Sequence, residues 1–397
     1  MQHPITIRYA VRPVRRSLAT NSVSDLFGLQ AEEVPFTIAE NLQLEILPGE
    51  LVLFTGPSGS GKSSLLRECG KQLQALDAMS LDLPEQPLVD CLSGELSQRL
   101  NDLAAAGLSE ARLLLRCPQE LSDGQRYRFR LAMALDQVKT GFLMADEFAA
   151  MLDRTLAKVL SFNLRKLVSR SGVGMLLATT HEDLTEDLQP DVWVRCHGEG
   201  RVEVIRQTPA KKRISFAREL SMTEGNRQDW EYFSKWHYRS HHLGFVKRIV
   251  LLKHGSDPIG ICVFCTPAGS LRLRSHYFGL KHSRTELSLR ALNQQLWVLS
   301  RVVLHPTYRG AGIGADFVRR ACQSCEVDWI ETLSAMGQVN PFFEKAGFIR
   351  VGIVRKTNEM KNPAGIYGQK NVKLSRETIE KSRFSEPVYY VFDNRSR

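Results

Sequence analysis

The sequence has no apolar run of the ~18 to 20 residues that a helix needs to cross a bilayer. Its start, MQHPITIRYAVRPVRR, has no apolar stretch of the kind found in a secretory signal. We therefore expect a cytoplasmic protein with no membrane partner inside its own chain. The sequence also has no internal repeat and no low-complexity tract, which favours ordinary globular domains over repeat architectures.

Cysteine is scarce, because eight cysteines in 397 residues are too few for a disulfide scaffold. Two pairs, Cys262 with Cys265 and Cys322 with Cys325, have a spacing that zinc sites also use. The first pair lies in an apolar run typical of a strand, where residues three apart point to opposite faces. We therefore favour reduced thiols that behave as small hydrophobes, and zinc remains the less favoured alternative.

Charge is divided unevenly along the chain. Residues 1–208 contain 22 Lys and Arg against 27 Asp and Glu, a net charge of −5, whereas residues 209–397 contain 31 against 16, a net charge of +15. A positive field of this kind favours polyanions or acidic cofactors. A solvated basic face without a partner is the alternative.

Short apolar runs alternate with helix-like stretches in the first half. ELVLFTG, FLMADEF and GVGMLLATTH indicate strands, and DRTLAKVLSFNLRKLVSR indicates a helix between the last two. This alternation predicts a largely parallel sheet that is covered on both faces. The polar, basic stretch RQTPAKKRIS indicates a linker, so the length and pattern predict domains at residues 1–208 and 209–397.

The second half has its own α/β pattern. It contains a helix around Trp230 to Tyr238, a hairpin KRIVLLKHGSDPIGICVFC with its turn at HGSDP, and the strand WVLSRVVL. A glycine turn, a helix, the strand WIETLSA and a further helix follow. This order predicts a domain with a separate sheet.

The segment that follows ELVLFT has the P-loop pattern between a strand and a helix. Its backbone N–H groups are expected to bind the phosphates of ATP, Lys62 the β- and γ-phosphates, and the Ser63 hydroxyl Mg²⁺. The expected ATP-binding residues of this loop are Gly56, Pro57, Ser58, Gly59, Ser60, Gly61, Lys62 and Ser63.

Further motifs, in the right order, resemble the ABC ATPase family. LSDGQ at residues 121–125 is similar to its signature, FLMADE at 142–147 to its Walker B strand, Leu152-Asp153 to its D-loop, and His181 to its switch histidine. The resemblance implies that Asp146 binds Mg²⁺, that Glu147 is the base that orients the attacking water, and that His181 contacts the γ-phosphate. It also implies that Ser122, Gly124 and Gln125 bind ATP held by another copy, and hence a homodimer.

Two features of the ABC pattern are left open by the sequence. The glutamine of the Q-loop is either Gln86 or Gln119, and the aromatic residue that stacks on adenine is either Phe27 or Phe36. The segment between the P-loop and the signature is short, which predicts a reduced helical subdomain. Without a membrane-spanning partner in the chain, the resemblance favours soluble ABC ATPases.

The glycine turn RGAGIG at residues 309–314 follows the strand WVLSRVVL and opens a helix. Together with NPFFEKAGF at residues 340–348, it resembles the GNAT acyltransferase family, which implies a splayed strand pair for an acyl thioester and a turn for the pyrophosphate of coenzyme A. The fold class expected is therefore α/β, a P-loop ABC-type nucleotide-binding domain followed by a GNAT-fold domain. Residues implied in binding acetyl-CoA, or a related acyl-CoA, are Val302, Val303, Arg309, Gly310, Ala311, Gly312, Ile313, Gly314, Asn340 and Phe343.

Acyl transfer needs a base for the acceptor amine and a proton donor for the departing thiolate. Many GNAT enzymes have a tyrosine as donor where this chain has Phe343. Glu331 and Ser300 are therefore the candidate catalytic residues, with Ser334 and His305 as further candidates.

The cluster WHYRSHH at residues 236–242 interleaves aromatic and basic residues, which suits stacking on a nucleobase beside phosphates. We expect His237, Tyr238 and His241 to bind substrate, and a helix end with packed aromatics is the alternative. The whole chain resembles a family in which an ABC-type ATPase is fused to a predicted acetyltransferase, and its second half distantly resembles Mom-type enzymes that modify DNA adenine.

The function predicted is ATP hydrolysis coupled to acyl transfer from acetyl-CoA onto a nucleic acid. One alternative is an acetyltransferase for a protein or a small amine that the ATPase regulates. Another is a non-catalytic acyl-CoA-binding module on a nucleic-acid-associated ATPase.

Overall fold

The computed structural model describes residues 4–9, 15–28, 36–210, 213–237, 243–280, 285–355 and 386–395. The chain divides into two compact units, one formed by Met1–Leu108 with Arg112–Lys212 and the other by Ser109–Ala111 with Arg213–Arg397. Within the described ranges, no helix is both long enough and apolar enough to span a membrane.

The described residues of the first unit form eight strands: β1 Ile5–Tyr9, β2 Phe36–Leu42, β3 Leu51–Thr55, β4 Leu76–Asp77, β5 Phe142–Ala145, β6 Gly174–Ala178, β7 Val192–Gly198 and β8 Arg201–Arg206. Six of them form one sheet in the order β4-β5-β6-β3-β7-β8, and β1 pairs separately with β2. Pairing is parallel from β4 to β7, and β8 runs antiparallel to β7. Every residue of β3 and β6 is buried, as their continuous apolar runs predict.

The helices of this unit are α1 Leu18–Phe27, α2 Lys62–Leu73, α3 Leu96–Ala105, α4 Asp123–Gln137, α5 Arg154–Ser171 and α6 Thr185–Leu188. Helix α5 contributes Leu160 to a core that also contains Leu53 and Leu177 of the sheet. Helix α2 contributes Leu65 to a second core with Phe54. Alternate residues of the sheet strands thus pack into two separate cores. This packing keeps the ends of the parallel strands together at one edge of the sheet.

The segment between β4 and α4 is described throughout and contains one α-helix, α3, besides short 3₁₀ turns. It has a small core of its own, in which Leu88 and Leu103 pack against Phe129 of α4.

The second unit contains seven described strands: β9 Leu220–Glu224, β10 Val246–His254, β11 Asp257–Cys265, β12 Leu296–Leu304, β13 Trp329–Ser334, β14 Ile349–Ile353 and β15 Val388–Asp393. They form one sheet in the order β14-β15-β13-β12-β11-β10-β9. Strands β12 and β13 run parallel, and the other pairs of this sheet are antiparallel. The parallel pairing covers only Leu296 to Val298, after which β12 continues to pair with β11 alone. The sheet therefore opens between its two central strands.

The described helices of the second unit are α7 Arg227–Ser234, α8 Arg272–Tyr277, α9 Glu286–Gln295, α10 Gly314–Gln323 and α11 Phe342–Lys345. The prediction of a helix as far as Tyr238 is wrong at its end, because α7 stops at Ser234. Trp236 N and His237 N donate to the carbonyls three residues earlier, which tightens and closes the last turn. The predicted hairpin forms from β10 and β11, with the turn reduced to Gly255 and Ser256.

The four cysteines of the second unit are buried. Cys262 and Cys265 lie in β11, Cys322 lies in α10 and Cys325 follows it. Burial raises the pKa of the Cys262 and Cys322 thiols well above the ordinary value, so both thiols are protonated near neutral pH.

Candidate functional site

The P-loop connects β3 to α2, which begins at Lys62. Gly56 has a φ of 141°, and a Cβ at this position would lie 2.1 Å from the Cys196 carbonyl oxygen, so no larger residue fits. The Lys62 Nζ donates to the carbonyls of Gly56 at 2.8 Å and Pro57 at 2.7 Å. Burial lowers the pKa of Lys62, while the charge of Asp146 acts in the opposite direction. The ammonium group is thus held over the loop.

Ser63 and Asp146 come together although they are 83 positions apart in the sequence. The Ser63 hydroxyl donates to Asp146 Oδ1 at 3.0 Å. Hydroxyl and carboxylate oxygens are the kind of ligand that Mg²⁺ prefers beside nucleotide phosphates. The two residues therefore fit the predicted Mg²⁺ site.

Glu147 has a backbone φ of 49°, which is uncommon for a residue with a side chain. Neighbouring hydrogen bonds hold this conformation: Glu147 N donates to Asp146 Oδ1 at 2.9 Å, and Phe148 N donates to the Ala178 carbonyl at 2.7 Å. Strain that is fixed from both sides is typical of catalytic positions. The fold therefore fixes the backbone of Glu147 directly after β5.

The P-loop and the Walker B residues line one cavity of about 620 Å³. It is lined by Ser58, Gly59, Gly61, Lys62, Ser63, Asp146 and Glu147 of the predicted site, and also by Tyr9, Thr179 and Thr180. Three P-loop residues, Gly56, Pro57 and Ser60, shape the loop without lining this cavity.

His181 follows the lining residue Thr180 but is not itself among the described lining of the cavity. Its backbone N–H donates to Thr179 Oγ1 at 3.2 Å. Burial, and then the positive charge of Arg154, lower the pKa of His181. A neutral imidazole has one donor and one acceptor nitrogen, which suits a polar contact with a phosphate and its attacking water.

The signature residues lie apart from this cavity. Ser122 N donates to the Gln125 side-chain oxygen at 3.0 Å, and a Cβ on Gly124 would lie 3.3 Å from Leu152 of the D-loop. None of these three signature residues is among the cavity's described lining, and neither are Gln86 and Gln119.

Among the residues that the structure describes, one aromatic residue, Tyr9, lines the cavity, and the sequence did not indicate it. Tyr9 is 52% exposed, and its hydroxyl lies 2.7 Å from Ser64 Oγ. Phe27, one of the two expected residues, is 74% exposed on α1 and does not line the cavity, and the side chain of Phe36 lies outside the described residues. The sequence signal that could have indicated Tyr9 is the aromatic residue at the end of the short strand ITIRY, upstream of the P-loop.

We expect Tyr9→Ala to weaken ATP binding by about tenfold or more, because stacking on an aromatic ring contributes roughly 1 to 3 kcal/mol per base. Tyr9→Phe keeps the ring and should bind ATP almost normally. Titration of each variant with a fluorescent ATP analogue measures the effect. Equal affinities of Tyr9→Ala and the unmodified protein would exclude stacking on this ring.

In the glycine turn of the second unit, residues 309–314, some residues are held by hydrogen bonding and burial, and the others are exposed to solvent. Arg309 Nε donates to the Leu304 carbonyl at 3.1 Å, and Ala311 and Ile313 are buried. Gly310 and Gly312 are exposed, with φ values of 91° and 77°. Their backbone therefore faces solvent just before α10 begins at Gly314.

Ser300, a candidate catalytic residue, lies at the opening between β12 and β13. It follows the last β12 residue that pairs with β13 by two positions, and its hydroxyl accepts a hydrogen bond from the Arg301 guanidinium at 3.0 Å. Among the other residues expected to bind acyl-CoA, Val302 is partly buried, Val303 is buried in the core, and Asn340 is exposed before α11.

Phe343 is buried in an aromatic cluster instead of facing solvent. Its ring centroid lies 5.3 Å from that of Phe348 and 5.5 Å from that of Tyr390. Burial raises the pKa of Tyr390 to about 12, and its hydroxyl lies 3.1 Å from a Glu344 oxygen. The sheet thus places a protonated phenol beside Phe343, and because β15 is distant in sequence, no local pattern could have indicated it.

Glu331 is buried and already paired. Arg274 Nε donates to Glu331 Oε2 at 2.8 Å, a second guanidinium nitrogen of Arg274 donates to Oε1, and the Tyr389 hydroxyl donates to Oε2 at 2.9 Å. Both charged side chains are less than 5% exposed. We therefore favour a structural role for Glu331 over the catalytic role that the sequence suggested.

We expect Glu331→Gln to lower the free energy of unfolding of the second unit by about 3 to 5 kcal/mol, because it leaves a buried guanidinium without a counter-charge. Four of the five tryptophans belong to this unit, so tryptophan fluorescence in urea follows its unfolding. The exposed Glu326→Gln is the control. A Glu331→Gln protein with normal stability but impaired transfer would restore the catalytic role.

His237 is the expected substrate-binding residue that the structure describes. Its ring lies 5.6 Å from that of Trp230 in an edge-to-face contact. The neighbouring Trp236 contacts His305 in the same way, with centroids 4.5 Å apart. Tyr238 and His241 lie outside the described residues.

Comparison with known proteins gives the first unit a family. A family model described as an AAA domain matches residues 48–187. The sulfate/thiosulfate import ATP-binding protein CysA of Synechocystis is 30% identical over 54% of this chain and 70% of its own length. The hemin import ATP-binding protein HmuV of Hahella chejuensis is 29% identical over 43% of this chain and 84% of its own length. The maltose/maltodextrin import ATP-binding protein MalK of Vibrio cholerae is 32% identical, over 36% of this chain and only 47% of its own length.

Among solved structures, the ATP-binding cassette MJ0796 bound to ADP and Pi is similar at 21% identity, with a TM-score of 0.37 over 52% of this chain and 99% of that one. The sequence matches and the motifs together show that this chain belongs to the family of ABC-type ATP-binding proteins. Its first unit is an ATP-hydrolysing ATPase, as the P-loop, signature and Walker B motifs predict.

Proposed function

We propose that this ABC-type ATPase uses its second unit to transfer an acyl group from acetyl-CoA, or a related acyl-CoA, to a nucleic acid. One observation carries the proposal, the opening between β12 and β13 beside the turn Arg309–Gly314. Where two central strands separate, the backbone of each is left available to an extended ligand, much as a free sheet edge binds a peptide.

The turn fits the acidic part of coenzyme A. Gly310 and Gly312 present exposed backbone without side chains. The first N–H groups of α10, like those of any helix, have no partner within the helix and point out of its N-terminus, which follows this turn. Arg309 adds a positive charge to this turn. When bound, the cofactor would supply an activated acyl group as a thioester.

The chemistry of transfer sets the tasks of the protein. A bond forms between the acceptor nitrogen and the acyl carbon as the carbon–sulfur bond breaks, so one proton must leave the nitrogen and one must reach the sulfur. Ser300 lies at the opening of the sheet, and Tyr390 provides a protonated phenol beside Phe343. These two hydroxyls are our candidates for handling the protons.

A nucleic acid is the acceptor that the charge and the aromatic residues support. The net charge of +15 in residues 209–397 would attract phosphates. Tyr232 is 43% exposed, and the Lys235 ammonium lies 4.4 Å from its ring and 4.3 Å from the ring of Trp236. Aromatic faces beside a cation suit a base with its phosphate.

A homodimer is the expected form of the ATPase, since the signature residues do not reach the cavity of their own copy. A second copy would bring Ser122, Gly124 and Gln125 to the bound ATP, with Mg²⁺ on Ser63 and Asp146. The relatives named above are import ATPases, so import through a membrane partner is the competing proposal.

Mass spectrometry of nucleosides from cells with and without the protein tests the proposal. We expect one nucleoside that is heavier by an acyl group and that disappears with the protein. Acylation of a free amine or a protein without any modified nucleoside would favour the alternative acceptors. Binding of acetyl-CoA with no acylated product of any kind would support a non-catalytic module.

A further inference from the structure

Arg154 lies between two motifs of the ATPase site that are distant in sequence. It is the first residue of α5 and directly follows the D-loop residues Leu152 and Asp153. Its guanidinium forms a salt bridge with Asp183, two residues after His181. Neither the P-loop nor the ABC motifs named above account for this arginine.

The backbone on both sides of this salt bridge is fixed by other contacts. The Asp153 carboxylate accepts a hydrogen bond from Leu156 N at 2.9 Å and caps α5. Leu184, after Asp183, is fully buried in the same core as Leu160 of α5. The position of the guanidinium beside the switch segment is therefore set by the fold.

The salt bridge has little to contribute to stability. The side chains of Arg154 and Asp183 are 39% and 52% exposed, and exposed ion pairs contribute little to the free energy of unfolding. The charge of Arg154 nevertheless acts on His181, since it helps to lower the pKa of that imidazole. Loss of the Arg154–Asp183 salt bridge should therefore affect His181 more than the stability of the fold.

We propose that Arg154 is a positioning residue for ATP hydrolysis, which holds the His181 segment through Asp183 and so ties the switch histidine to the D-loop. A movement of the D-loop would then be transmitted directly to the group expected at the γ-phosphate. The proposal concerns the ATPase reaction alone and is independent of acyl transfer.

Steady-state ATP hydrolysis and binding of a fluorescent ATP analogue by the full chain test the proposal. We expect Arg154→Ala and Asp183→Ala to lower kcat about 10- to 100-fold, the loss typical when a group that orients a functional side chain is removed. The affinity for ATP should stay within about twofold, since neither residue lines the cavity. Arg154→Lys, which keeps the charge, should recover part of the activity, and Arg170→Ala on the same helix is the control.

A double variant separates positioning from a general structural effect. If Arg154 acts through His181, adding Arg154→Ala to His181→Ala should cause no further loss of kcat. Losses that multiply, a loss of ATP affinity in place of kcat, or wild-type turnover by Arg154→Ala would each overturn the proposal. Thermal unfolding of each variant shows that the protein remains folded, and if Arg154→Ala does not fold, the same comparison with Asp183→Ala decides the matter.

Discussion

Replacing Glu147 with glutamine is expected to stop ATP hydrolysis while leaving ATP binding intact. The amide cannot accept the proton of the attacking water, and loss of a general base lowers a rate by about 10²- to 10⁴-fold. Lys62, Ser63 and Asp146, which fit the phosphates and Mg²⁺, are unchanged. The left-handed backbone at Glu147 is unchanged as well, because its hydrogen bonds are made by main-chain atoms and Asp146.

Size-exclusion chromatography of Glu147→Gln with and without ATP shows a second consequence. With hydrolysis blocked, the ATP-bound dimer should accumulate, so the variant should elute as a dimer only with ATP. The exposed Glu186→Gln serves as the control and should hydrolyse ATP normally. A Glu147→Gln protein that hydrolyses at the wild-type rate would remove Glu147 from the mechanism, and one that stays monomeric with ATP would remove the dimer.

Gly312→Trp is expected to abolish acyl transfer while ATP hydrolysis continues. The indole would cover the exposed backbone of the turn where we expect the coenzyme A pyrophosphate, and the φ of 77° adds backbone strain. Gly255→Trp is a matched control, since Gly255 has a φ of 58° in an exposed hairpin turn with nothing within 4 Å of an added Cβ. Gly255→Trp introduces the same bulk and similar backbone strain, but away from the turn at residues 309–314.

Transfer of labelled acetyl groups and release of phosphate, measured on the same samples, distinguish the outcomes. The expected pattern is transfer by the unmodified protein and by Gly255→Trp, but not by Gly312→Trp, with similar hydrolysis by all three. Normal transfer by Gly312→Trp would rule out this turn as the acyl-CoA site.

The parts of the site that the sequence predicted are those encoded locally or by motif order. β3, the P-loop and α2 are consecutive, so an apolar run, glycines and Lys62 were sufficient to place them. The resemblance to the ABC ATPase family implied Asp146 at the Mg²⁺ site. Asp146 lies near Ser63 because β3 and β5 belong to one set of parallel strands, whose carboxyl ends lie at one edge of the sheet.

The features that were missed depend on pairing between distant segments. Tyr9 reaches the cavity through the β1–β2 pair. Tyr390 reaches Phe343 because β15 pairs with both β13 and β14, the strands on either side of α11 in the sequence. The pairing of Glu331 could not be foreseen, because its partner, Arg274, lies 57 residues earlier in a helix with no motif. A single sequence carries no signal for such contacts, since propensity and periodicity describe only neighbouring residues.

We propose that ATP use in the first unit drives modification of a nucleic acid by the second. A direct test is the transfer of labelled acetyl groups from acetyl-CoA to DNA or RNA, with and without ATP, by the unmodified protein and by Lys62→Ala. We expect ATP-dependent labelling of the nucleic acid, a strong decrease with Lys62→Ala, and a steep decrease with added salt because phosphate contacts are lost. Full labelling by Lys62→Ala would show that the two units are merely joined, and no labelling of either nucleic acid would contradict the proposed function.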